Sequence, residues 1–122
     1  MNRSRFERLV AEALDSLPPE FHEKMDNVDV VIRAWASRDD VERAGLSPDE
    51  TLFGLYEGVP LTERTTRYGL VLPDKITIYQ GPIEAYCRSA EEVRRKVRQV
   101  VMHELGHHFG ISDERLRELG VY

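Results

Sequence analysis

The chain has a single cysteine, Cys87, so it cannot close an internal disulfide, and the small scaffolds held together by such bridges are excluded. It also lacks any apolar run approaching the roughly 18 residues of a membrane span, which removes the integral membrane classes. The opening stretch MNRSRFERLVAEALDSL places acids where a signal peptide has an unbroken apolar core, and the expected compartment is therefore cytoplasmic. Excess positive charge is missing too. With 17 Lys and Arg against 22 Asp and Glu the net charge is -5, a poor match to polyanionic partners, so no nucleic acid and no membrane partner is expected. No repeat, low-complexity tract or Gly/Ser linker divides the chain, and residues 1–122 read as one domain. Its 41% hydrophobic content suffices for one modest core.

What is there falls into a short series of elements. Phe6, Leu9, Val10, Ala13, Leu14 and Leu17 recur at helical spacing, with Ser4 and Glu7 set as a capping box and Pro18-Pro19 as the stop. VDVVIRAW, Val28 to Trp35, is β-branched and predicts a well-buried strand; Trp35 and Tyr56 are expected in the core. Ser37 to Glu50 reads as a loop with room for a helical turn. LFGLYEG (Leu52 to Gly58) and KITIYQG (Lys75 to Gly81) predict two further strands, separated by VPLTERTTRYGLVLPD, which reads as a flap. A long helix opens at Ser89, with Glu92 completing a capping box, and runs to Phe109 before Gly110.

On the wheel of that helix, Val97, Val100, Val101, Glu104 and His108 fall within a sector of roughly 100° that faces the core. Arg94, Arg95, Arg98 and Gln99 lie elsewhere, so the basic run RRKVR is a solvated face. The anomaly is Glu104, because an uncompensated carboxylate on an apolar stripe is costly. A metal ion would compensate it. His103 and His107 are four residues apart, one turn along the same face, where two imidazoles can bind one ion. Glu104 sits beside them, able to reach a water held by the ion. This is the HExxH arrangement, in which zinc lowers the pKa of its water and the glutamate takes the proton as that water attacks a carbonyl. A third protein ligand is needed if one position is to stay open. Gly110 suits the left-handed turn that would bring Asp113 round to the ion, although Ser112 and Asp113 equally suit the N-cap of the helix that follows. Glu114 is the second candidate. His108, about 100° around from His107, points away and reads as a packed histidine. Cys87 reads as a small buried hydrophobe.

The complete stretch HExxHxxGxxD, His103 to Asp113, resembles the zincins, and with LFGLYEGVPL, LPDKITIYQGPI and VMHELGHHFGISD in order it is similar to the small single-domain zincin-like metallopeptidases. The likeness spans roughly residues 28 to 122. It implies an α+β domain in which a small mixed β-sheet packs against an N-terminal helix and a C-terminal active-site helix. It also implies Zn2+ held by His103, His107 and Asp113, with Glu104 as general base, and hydrolysis of peptide bonds in a peptide or unfolded protein substrate. Two departures stand out: no methionine occurs in the nine residues after Asp113, and no lower subdomain is present to wall the cleft. A partner or a second copy would complete it. Hydrolysis of a non-peptide bond, and a metal-stabilised interaction domain, are the alternative readings. A His2Asp set also accepts iron, cobalt or nickel. Tyr68, Tyr79, Tyr86 and Tyr122 are all open as stabilisers of the developing oxyanion, and either Leu52 to Glu57 or Ile76 to Tyr79 could pair with an extended substrate.

Overall fold

The structure, a computed structural model, describes residues 1–46, 51–58 and 73–120. The first helix, α1 (Arg3–Asp15), begins before the Ser4/Glu7 box: Asn2 is the N-cap, its side chain accepting from the Arg5 amide at 2.8 Å. With Asn2 as cap the helix starts two residues earlier than the Ser4/Glu7 box implies, taking in Arg3 and Ser4. Phe6, Leu9, Val10 and Ala13 are all buried, as their spacing requires. Pro18 caps α2 (Pro19–Lys24), which seats Phe21 in the same core.

The sheet is three-stranded and mixed, in the order β1-β3-β2, with β1 Val28–Arg33, β2 Gly54–Glu57 and β3 Asp74–Tyr79. β1 runs parallel to β3, pairing Val30 with Ile76, and β2 runs antiparallel to it, pairing Gly54 with Ile78 and Tyr56 with Ile76. The central position belongs to β3, which corrects two expectations. β1 is only half-buried, because among the described residues it pairs on one side alone. Trp35 lies beyond its end and is 64% exposed rather than in the core, its indole lying across Gly81. The third predicted strand also stops at Tyr79, since Gln80 and Gly81 open the short helix α4 (Gln80–Tyr86). Within Ser37 to Glu50, the helical turn is α3 (Arg38–Arg43), closed by a capping box between Ser37 and Asp40. The stretch read as a flap lies, apart from Pro73 and Asp74, outside the described residues, as do Tyr68 and Tyr122.

The long helix, α5 (Ala90–Phe109), starts and stops where its sequence signals say. Ser89 accepts from the Glu92 amide, while the Glu92 carboxylate reaches past it to the Arg88 amide at 2.5 Å. Gly110 ends the helix in the left-handed region, φ 70°. One face of the sheet, through Ile76 and Ile78, packs with α1 and α5 into the main core, joined by Val97, Val101, Met102 and Leu105. Tyr79, Leu52 and Leu55 form a smaller cluster on the other face. The architecture is thus α+β, a small mixed sheet packed on an N-terminal helix and on α5.

Candidate active site

β2 and α5 run side by side. A Cβ on Gly54 would meet Val100 and one on Gly58 would meet His108, so four residues of strand, roughly 13 Å, match eight of helix, roughly 12 Å, in the same direction. The groove between them is a cavity of about 450 Å³. Its floor is one helical stripe, Lys96, Gln99, Val100, His103, Glu104 and His107, and its wall is Leu52 to Leu55. The helical wheel alone puts Gln99 on the solvated face; the wall raised by β2 makes it part of the groove. Arg94 does face outward, paired with Glu12 of α1 at 3.3 Å.

The imidazoles of His103 and His107 stand together, ring centroids 4.1 Å apart, as their one-turn spacing demands. Burial holds His103 below the ordinary histidine value, with His107 adding to the effect and the Asp113 carboxylate opposing it. Burial also pushes the Glu104 carboxyl up to about 7. A carboxyl so poised changes protonation close to neutral pH, which is what a proton-transferring group requires.

A last helix, α6 (Asp113–Glu118), folds back against α5. Two devices bring it there. The Gly110 turn lets the Ile111 amide return to the Gly106 carbonyl at 2.8 Å, and Leu116, fully buried, fills the space where Gly106 lacks a side chain. The N-cap of α6 is Ser112, whose hydroxyl accepts from the Arg115 amide at 3.1 Å, so capping is not the role of Asp113. Asp113 and Glu114 occupy the first turn, with Asp113 close enough to act on His103 through its charge.

His108 is turned away from the histidine pair. It stacks on Tyr56 with centroids 4.0 Å apart, and its Nε2 lies 3.7 Å from Asp74 Oδ2. The Tyr56 hydroxyl donates to the same buried carboxylate at 2.6 Å. This Tyr56, Asp74 and His108 cluster, which no sequence spacing announced, ties the end of α5 to both β2 and β3. Tyr79 is buried on the far face of the sheet and hydrogen-bonded to Asp40, which together push its phenol up. It does not face the groove. Tyr86 is exposed beside Lys96. Cys87 is half-buried against the core, its thiol pushed up by burial and so far from a reactive thiolate.

The sequence matches the zincin-like metallopeptidase family over residues 25–121. The chain belongs to that family. The zincin-like match takes in the whole sheet, α5 and α6. A solved structure, that of a conserved hypothetical protein from Thermus thermophilus, is similar with a TM-score of 0.56 at 20% identity, over 89% of this chain and 94% of that one, and it shows the same fold. A comparison with curated proteins gives no match. Membership in the zincin-like family implies a zinc-dependent hydrolase and hence a metal. Among the described residues, no helix is long and apolar enough to cross a membrane.

The residues present suit that metal in part. Two adjacent imidazoles, with His103 disfavoured from protonating, form the nitrogen pair that zinc takes. Among the described residues, however, no three of His, Cys, Asp and Glu converge as a ligating group. The arrangement is therefore a histidine pair with Asp113 nearby, and with a partly buried Glu104 beside it.

Proposed function

We propose that this protein is a zinc-dependent peptidase in which His103, His107 and Asp113 hold the metal and Glu104 is the general base. The observation that carries the reading is Glu104 itself, a desolvated carboxyl raised to about 7 on the same groove floor as the paired imidazoles. Structural zinc sites need no such neighbour.

A zinc ion bound there supplies Lewis acidity, which makes water a nucleophile near neutral pH and polarises a carbonyl. The chain's own residues do the rest. Glu104 takes the proton released by the attacking water and passes it to the departing amine. Val100, Leu52 and Leu55 give the groove an apolar lining beside Glu104. Binding by Asp113 requires a movement at the start of α6, where Ser112 rather than Asp113 carries the cap. Of the two strands offered for substrate pairing, β3 is central and already paired on both sides, so among the described residues β2 is the one left to meet an extended peptide.

The experiment is cleavage of a diverse peptide library by the zinc-loaded protein and by Glu104→Gln, with metal quantified in both. Cleavage by the parent alone at equal zinc content supports the reading. Equal cleavage by both, or none by either at full zinc occupancy, overturns it.

A further inference from the structure

The groove has a second charged feature, two helical turns before the histidine pair. Lys96 lies on its floor stripe seven residues before His103, about 10.5 Å along the helix axis. Its Nζ is held between two aromatic faces, 4.2 Å from the ring centroid of Phe53 and 4.4 Å from that of Tyr86, while Phe53 and Tyr86 meet edge to face at 5.6 Å. The ammonium also donates to Gln99 Oε1 at 3.4 Å. Among the described residues no carboxylate pairs with it, although acids outnumber bases along the chain. Aromatic faces fix a cation without neutralising it. The result is an oriented positive charge, partly withdrawn from water, opening onto the cavity that leads to His103.

An extended peptide lying along β2 advances roughly 3.3 Å per residue, so 10.5 Å corresponds to about three residues. We propose that Lys96 is a specificity residue that receives a substrate carboxylate about three residues from the cleaved bond, supplied either by an acidic side chain or by the peptide's free C-terminus. The inference rests on the peptidase reading. It explains why a groove in an acidic protein presents a lysine, and why Phe53 and Tyr86 converge on it.

The test measures equilibrium binding of fluorescent peptides to zinc-loaded full-length protein in the Glu104→Gln background, where bound peptide is not turned over. Peptides of one sequence carry Glu or Gln three residues to either side of the scissile bond, each with a free or an amidated C-terminus. With Lys96 in place, one carboxylate-bearing peptide binds about tenfold tighter than its neutral counterpart. The Glu/Gln pair and the free/amide pair distinguish the two sources. In Lys96→Gln that ratio falls to about one, in Lys96→Glu it inverts, and Lys96→Arg keeps it, which also shows that the groove still folds. An unchanged ratio in Lys96→Gln, no preference at all, or no binding overturns the proposal. Carboxylate preference in binding without any cleavage by the parent would remove the peptidase reading while leaving the subsite. Cleavage indifferent to Lys96 would do the reverse.

Discussion

Val100 fills the space that a side chain at Gly54 would need: a Cβ there would lie 2.5 Å from Val100 Cγ1 and 3.1 Å from the Thr77 carbonyl. This close approach sets the width of the groove at its middle, between the Lys96 end and the histidine pair. Gly54→Ala is therefore expected to push β2 off α5, destabilising the protein by about 1–3 kcal/mol in urea unfolding. Val100→Ala added to it should recover part of that loss, by removing the atom that is struck. Strictly additive losses would mean that the two sites do not share the space.

Glu104 makes the stability of the metal-free protein depend on pH. Its folded pKa is raised above the ordinary 4.5 to about 7, so folding is favoured most below 4.5 and loses that advantage as pH rises through 7. Discounted for partial exposure, the fall amounts to about 2 kcal/mol between pH 4.5 and 8. Denaturant midpoints for the metal-free parent should decline over that window relative to those of Glu104→Gln, which has no carboxyl to ionise. Parallel profiles for the two proteins would show that Glu104 is not desolvated.

Ser112 and Asp113 separate into two roles. Ser112→Ala removes the α6 cap and is expected to cost about 1 kcal/mol of stability, with zinc still bound. Asp113→Asn should do the opposite, leaving the melting temperature of the metal-free protein nearly unchanged while weakening zinc about 10- to 100-fold in chelator competition. Zinc affinity that follows Ser112 and ignores Asp113 would assign the third ligand elsewhere, with Glu114 next to be tried.

Tyr56→Phe keeps the stack on His108 but removes the hydroxyl that donates to Asp74. Because that carboxylate is buried, the loss should be about 1–2 kcal/mol in thermal or denaturant unfolding. A neutral outcome would mean that the remaining contacts of Asp74 satisfy it without the phenol.

The elements that local sequence could specify are those whose signal lies within one or two helical turns. Ser89 and Gly110 bracket α5 because a hydroxyl cap and a left-handed terminus are local chemistry, and His103 and His107 face one way because four residues make about one turn. Lys96 has the same period, seven residues before His103, but the sequence by itself leaves it in the solvated run RRKVR, because only the wall raised by β2 turns that stripe into a groove. Trp35 escapes such a reading for a different reason. Its β-branched neighbours make a strand, but whether that strand is central or at the edge depends on residues some 45 positions away.

By itself, then, the sequence determined α1 and α5, the HExxH stripe and the zincin-like resemblance, since each rests on signals local to one stretch of chain. Tertiary structure alone decided that β3 takes the middle of the sheet, that β2 rather than β3 borders the groove, that Ser112 caps α6, and that Tyr56, Asp74 and His108 meet. Those outcomes turn on which distant surfaces exclude water together and how closely their backbones approach, as Gly54 at Val100 and Gly106 at Leu116 illustrate. Burial arising from that packing, rather than any neighbour in sequence, is what raises Glu104 into the range where it can work as a base.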